Sequence, residues 1–220
     1  MDQSRYIVVE GPIGAGKTAL ARKLADSLGA RAVLEEIGAN PFLAGFQKDR
    51  ERFAFQTQLF FLLSRFRQQQ QLSQLDLFHQ GMVADYLFDK DRIFALLHLS
   101  EAEFSLYDQV FQLLQGRVPR PDLVIYLSFR SEVLWRKLKS RREEGAWLNL
   151  DYLRDLGEAY NHFFFHYNLS PLLVVNAPDP DLFENEDNFR HLLREINSLR
   201  KGVKHYVPLG TAESGTKRES

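Results

Sequence analysis

Apolar residues in this chain fall into short unbroken blocks, separated by longer stretches in which they recur at helical spacing. Blocks at 5–10, 32–36, 81–85, 122–128 and 172–176 predict five strands. The first, fourth and fifth are continuous apolar or β-branched runs, the pattern of strands covered on both faces. Helical spacing marks 17–28, 50–71, 91–116, 131–141, 149–168 and 187–201. Alternation of the two patterns predicts an α/β fold, a five-stranded parallel sheet flanked by helices. Arg117–Asp122, with two prolines, breaks the chain before the fourth strand, and Asn176–Asp181 is a loop after the fifth. The Gln68–Gln71 run reads as a solvated helix face. Residues 208–220 are small and polar and predict a disordered tail, which leaves 1–207 as a single domain without internal repeats.

Composition narrows the function classes. With 220 residues the chain can bury a sizeable core, and 45% hydrophobic against 26% charged residues describes a globular protein. The formal net charge is -1, so no field of one sign points to nucleic acid or to an anionic membrane. No apolar run reaches bilayer length, and the N-terminus lacks a charged-then-apolar leader. The chain has no cysteine, which removes disulfides, thiolate metal sites and a cysteine nucleophile. A reduced cytoplasmic setting is the simplest fit, although an oxidising compartment also suits a cysteine-free chain.

Gly11-Pro12-Ile13-Gly14-Ala15-Gly16-Lys17-Thr18 fits G-x-x-x-x-G-K-[ST], between a predicted strand and a predicted helix. Glycines let successive backbone N–H groups turn toward one centre, and the helix N-terminus adds the positive end of its dipole. Lys17 can reach β/γ-phosphates, and the Thr18 hydroxyl can ligate Mg²⁺. The bland alternative is a glycine-rich turn before a helix. The strand–loop–helix context favours nucleoside triphosphate binding.

Ligands of open parallel sheets bind beyond the carboxyl ends of the strands. The second predicted strand ends in Leu34-Glu35-Glu36, where a carboxylate can take a proton from an attacking hydroxyl. Adjacent strand residues face opposite ways, so one of the pair can point inward. The third ends at Asp85, placed to hold Mg²⁺ or merely to cap a turn. Gln58 and Arg65, seven apart, share a mostly apolar helix face, where a glutamine is either a satisfied core amide or a reader of a base edge. Gln56 lies on another face. Arg136, Lys137, Lys139, Arg141 and Arg142, followed by Glu143-Glu144-Gly145, are ordinary last-turn cations or a mobile lid whose guanidiniums meet phosphoryl charge.

As an ordered set these residues resemble the deoxynucleoside kinase family over about residues 5–200. The motifs are Val9 to Thr18, Glu35 with Asn40-Pro41-Phe42-Leu43, Phe55-Gln56-Thr57-Gln58 through Ser64-Arg65, Ala84-Asp85-Tyr86, Pro121 to Leu127, and the basic lid. The resemblance implies a P-loop kinase fold with a lid, and ATP-dependent phosphorylation of a deoxynucleoside at its 5′-hydroxyl. It implies Glu35 as catalytic base, Lys17, Arg136, Arg141 and Arg142 on the transferred phosphoryl, and Thr18, Asp85 and Glu35 about Mg²⁺. It further implies Gln58 and Arg65 on the base, Asp85 as the acid of the family's Asp/Glu-Arg pair beside the nucleoside, and Glu143 or Glu144 at the sugar 3′-hydroxyl; the acids Asp89 and Asp91, read from their place in the chain, would bias the choice toward a ring with N–H donors. Asp179, Pro180 and Asp181 correspond to the segment that cups the ATP adenine. The chain departs from the family at Tyr86, where an arginine is usual; the lid or Arg92 is expected to supply that charge. It departs also at Gln47, where a sugar-contacting tyrosine is common, and at Ser140-Arg141-Arg142, where Arg-Gly-Arg is usual.

The reading is therefore a kinase of deoxynucleosides, purine preferred, working with ATP and Mg²⁺ as a cytoplasmic homodimer, without nucleic-acid or membrane partners. Two alternatives stand beside it. One is a nucleoside monophosphate kinase of the thymidylate kinase type. The other is a non-catalytic family member serving as an assembly subunit.

Overall fold

Val8 and Val9 in the strand Arg5–Glu10 (β1) are fully buried, as the unbroken apolar run requires of a central strand. A computed structural model of the protein describes residues 5–72, 81–141 and 148–208. Around β1 lie Arg31–Val33 (β2), Gly81–Ala84 (β3), Leu123–Ser128 (β4), Leu172–Asn176 (β5) and Val203–Tyr206 (β6). All pair in parallel, in the order β2-β3-β1-β4-β5-β6. β1 pairs with β3 on one side and β4 on the other, so the loop after β1 opens between the ends of both.

The sheet has six strands where the apolar blocks predict five. The extra strand, Val-Lys-His-Tyr, is an edge strand with alternating exposure, so it presents no apolar run. β2 is also shorter than predicted: pairing stops at Val33, and Leu34 and Glu35 bend away toward the site.

The helices are Lys17–Leu28 (α1), Leu43–Lys48 (α2), Arg50–Leu72 (α3), Asp91–His98 (α4), Glu101–Gln115 (α5), Ser131–Arg141 (α6), Leu150–Phe165 (α7) and Glu186–Ser198 (α8). The single helix predicted over 91–116 is two helices. Ser100 caps α5: its hydroxyl accepts from the Glu103 N–H, and the Glu103 carboxylate accepts from the Ser100 N–H. That capping box starts a new helix instead of continuing the old one.

The main core lies about the sheet, α1, α7 and α8; a second cluster (Leu62, Phe88, Ala95, Tyr107, Phe111) joins α3, α4 and α5. His98 ends α4 stacked on Tyr152 of α7, with ring centroids 5.6 Å apart and its Nε2 3.1 Å from the Tyr152 hydroxyl. The Gln68–Gln71 run is not a simple solvated face. Gln68 donates to the Leu34 carbonyl at 2.9 Å, Gln69 is buried and donates to the Tyr6 hydroxyl at 2.9 Å, and Gln70 donates to the Arg117 carbonyl at 2.6 Å. From residue 209 onward the predicted tail lies outside the described residues.

Candidate active site

The turn after β1 is built tightly. A Cβ on Gly11 would lie 2.8 Å from the Leu127 carbonyl oxygen, and Gly16 sits at φ 79°, where its own added Cβ would lie 3.0 Å from the Pro180 carbonyl oxygen. Only glycine tolerates both the φ and the approach. Gly16 is the N-cap of α1, so the first N–H groups of that helix face the loop. The Lys17 ammonium folds back over the turn and donates to the carbonyls of Gly11 at 2.8 Å and Pro12 at 3.1 Å. Desolvation, reinforced by the Lys90 ammonium, lowers its pKa from the usual lysine range.

Asp85 joins the loop to the end of β2. Its Oδ2 accepts from the Thr18 hydroxyl at 2.5 Å, and its Oδ1 accepts from the backbone N–H of Glu35 at 2.8 Å. The Asp85 N–H donates in turn to the Val33 carbonyl at 3.1 Å. Of the two adjacent glutamates, Glu35 turns inward and Glu36 is exposed.

Both Glu35 oxygens are engaged. Oε1 accepts from Arg65 through Nε at 2.8 Å and through a second guanidinium nitrogen; Oε2 accepts from Lys90 Nζ at 2.7 Å. Burial alone would raise the Glu35 carboxyl, but the charges of Arg65 and Lys90 outweigh it and hold the group well below the usual carboxylate range. Both Glu35 oxygens face cations in this arrangement, while the Thr18 hydroxyl and the Asp85 carboxylate lie together beside the loop as hard oxygens of the kind that suits Mg²⁺. Arg65 also pairs with Asp91, which is fully buried, and lies over the Phe61 ring at 5.0 Å. Asp91 thus holds Arg65 in place.

Gln58 is only 3% exposed, and among the described residues its amide has no hydrogen-bond partner. Gln56 is exposed, as its separate helix face implies. Asn40 is structural: it donates to the Thr57 carbonyl at 3.1 Å and accepts from the Phe42 N–H at 3.0 Å, which fixes the turn between β2 and α3. Gln47 lies exposed on α2.

On the other side of the loop, α6 brings Lys137 to Asp181 at 2.5 Å. The Asp179 carboxylate accepts from the Asp181 N–H at 2.8 Å and shapes that turn. Ala15, Gly16, Ala19, Lys23, Asp181 and Phe183 surround a cavity of about 60 Å³. Arg136 is exposed; the Arg141 side chain and all of Arg142, Glu143 and Glu144 lie outside the described residues. A larger cleft of about 690 Å³ opens beyond β4 and β5, among Ser128, Arg130, Arg154 and Asn176, and none of the predicted site residues lines it.

Two residues at the site, Lys90 and Glu10, were not singled out in the sequence, and two others take places it did not foresee. Arg92 does not supply the charge expected in place of an arginine at Tyr86; it pairs with Asp108 of α5 at 3.0 Å and faces away. Lys90 approaches Glu35 instead, in a four-residue run of alternating charge (Asp89-Lys90-Asp91-Arg92) where periodicity cannot tell inward from outward. Glu10 is completely buried under the loop, accepting from the N–H groups of Gly11 at 2.9 Å and Leu87 at 2.7 Å and from the Tyr160 hydroxyl at 3.1 Å. A carboxylate ending an apolar strand was the available clue. Tyr86 is likewise buried and donates to Gln68 Oε1 at 2.6 Å, a scaffold role.

The chain matches the model of the deoxynucleoside kinase family over residues 7–201. A deoxyadenosine/deoxycytidine kinase of Bacillus subtilis (strain 168) is 29% identical over 206 residues, 90% of this chain and 94% of that one. A deoxyadenosine kinase of Dictyostelium discoideum is 35% identical over 167 residues, 73% of this chain and 67% of that one. Among solved structures, the deoxyadenosine kinase from M. mycoides with bound dATP has the same fold, with a TM-score of 0.74 at 23% identity over 88% of this chain and 100% of that one.

Proposed function

The chain belongs to the deoxynucleoside kinase family, enzymes that phosphorylate deoxynucleosides, and on that premise we propose how its residues move the γ-phosphoryl of ATP to a 5′-hydroxyl. The observation that carries the reading is the Asp85 carboxylate, bonded at once to Thr18 of the phosphate loop and to the backbone of Glu35. It sets a candidate base beside the triphosphate cradle. Glu35 takes the 5′-hydroxyl proton as the oxygen attacks the γ-phosphorus and ADP departs. Lys17 and the free backbone N–H groups of the loop at 11–18 hold the phosphates. The oxygens of Thr18 and Asp85 would hold Mg²⁺, which supplies charge neutralisation at the phosphates when bound.

Gln58 reads the base. Among the described residues its amide has no protein partner, and a nucleobase edge offers the paired donor and acceptor it can meet. Arg65 bridges this helix face to Glu35, with Asp91 fixing it. A purine is the preferred base, in line with relatives named for deoxyadenosine and deoxyguanosine. The segment at Asp179, Pro180 and Asp181 flanks the ATP adenine. Arg136, Arg141 and Arg142 close over the phosphoryl group, and Gln47, Glu143 and Glu144 serve the sugar. The enzyme works as one domain over 1–207, in the cytoplasm where ATP is plentiful, and as a homodimer. Leu106 and Leu113, on one stripe of α5, together with Leu63 of α3, are exposed and would be covered by a second copy.

The test is a phosphorylation panel of deoxyadenosine, deoxyguanosine, deoxycytidine and thymidine with wild type and Glu35→Gln. We expect purine deoxynucleosides to be preferred and kcat to fall roughly 10²–10⁴-fold in the variant, with ATP affinity nearly unchanged. A Glu35→Gln enzyme with wild-type turnover refutes the base assignment.

A further inference from the structure

The Glu35 carboxylate poses a chemical problem. A carboxylate clamped by two cations is a weak base, yet it is the group that must accept the 5′-hydroxyl proton. One clamp must loosen as the reaction proceeds, and the two cations differ in what else holds them.

Arg65 is anchored independently, by Asp91 and by the Phe61 ring. Lys90 is not. Its side chain is 3% exposed, and among the described residues Glu35 is the only carboxylate it touches. An ammonium has three donors, and only one is spent here. The backbone beneath it is firmly set. Lys90 closes the turn Phe88–Lys90, whose Phe88 stacks on Phe111 at 5.3 Å and whose preceding Leu87 N–H is bound by Glu10. The stem is fixed, and the flexible four-carbon arm can swing between acceptors. Its charge also bears on Lys17, whose ammonium lies over the phosphate loop, so the two cations act on one region.

We propose that Lys90 is a catalytic residue whose ammonium passes from Glu35 Oε2 to the oxygens of the phosphoryl group during transfer. The assignment rests on the kinase reading above. In the step, the O5′–H proton goes to Glu35 and the O5′–P bond forms. The bond from phosphorus to the β,γ-bridging oxygen breaks, its electron pair leaving with ADP. Lys90 stays protonated throughout. Its departure from Glu35 frees a carboxylate oxygen as charge builds on the phosphoryl group, so a single movement serves both the base and the transition state.

The experiment is a double-mutant cycle of wild type, Lys90→Met, Glu35→Gln and the double variant, with kcat, both KM values and thermal melts measured on the same preparations. Lys90→Met is expected to lower kcat about 100-fold with both KM values within a few-fold of wild type, and Lys90→Arg to recover part of that loss. In the Glu35→Gln background, Lys90→Met is expected to cost at least another ~10-fold. No further loss there would mean that Lys90 only holds Glu35, and would overturn the proposal. So would a Lys90→Met enzyme with wild-type kcat. If the methionine variant does not fold, Lys90→Gln, which retains a donor to Glu35, carries the same comparison. A wild type inactive on every deoxynucleoside overturns both readings, whereas an active wild type indifferent to Lys90 overturns this one alone.

Discussion

If Glu35 is the base proposed above, holding the fold together and doing chemistry pull in opposite directions there. The two cations that neutralise a buried carboxylate also lower its appetite for a proton, and the sequence, which presents two adjacent glutamates, gives no hint of either. Glu10 is the opposite case: a buried carboxylate held by two backbone N–H groups and a tyrosine hydroxyl. Its position before the glycine run was legible, but its role as a tie between the phosphate loop, Leu87 and α7 needs contacts 77 and 150 residues away. Glu10→Gln keeps the shape and turns one acceptor into a donor facing an N–H. We expect a loss of about 2–4 kcal/mol in urea unfolding and a raised KM for ATP. An unchanged midpoint would show that the N–H groups find other acceptors.

At the scale of elements, the sheet was readable where strands are covered on both faces. The β1, β4 and β5 runs are continuous, and their predicted bounds nearly match the structure. It was unreadable at the rim, because β6 alternates exposure and carries Lys204 and His205. The α4–α5 break was encoded in Ser100-Glu101-Ala102-Glu103, a signal obscured by apolar spacing that runs through it. The α4–α7 contact has a pH dependence of its own. Burial, with the charge of Arg50, pushes the His98 imidazole down to about 4, below its unfolded value of roughly 6.5. The folded state therefore binds fewer protons, so this contribution is present above pH 6.5 and is lost as pH falls toward 4. It amounts to something on the order of 2–3 kcal/mol. His98→Leu should flatten the decline in urea midpoint between pH 7 and pH 4.5; an equally steep decline would place the acid sensitivity elsewhere.

For the whole molecule, the exposed leucines on α3 and α5 set the expected assembly. Leu106→Glu with Leu113→Glu should convert a dimer to monomers in sedimentation velocity while leaving the melting temperature of the isolated chain nearly unchanged. A variant that sediments like the wild type moves the interface elsewhere. The Lys137–Asp181 pair, which straps α6 to the segment after β5, has a further consequence. If α6 and this segment flank the nucleotide as proposed, discharge of spent nucleotide and retraction of the basic helix would be a single gated event. Asp181 is 45% exposed, so the strap is open to ionic screening. Added salt, or Lys137→Ala, should quicken ADP escape in stopped-flow displacement, and the salt effect should vanish in the variant. If chemistry is the faster stage, the enzyme would then cycle more rapidly in brine than in dilute buffer.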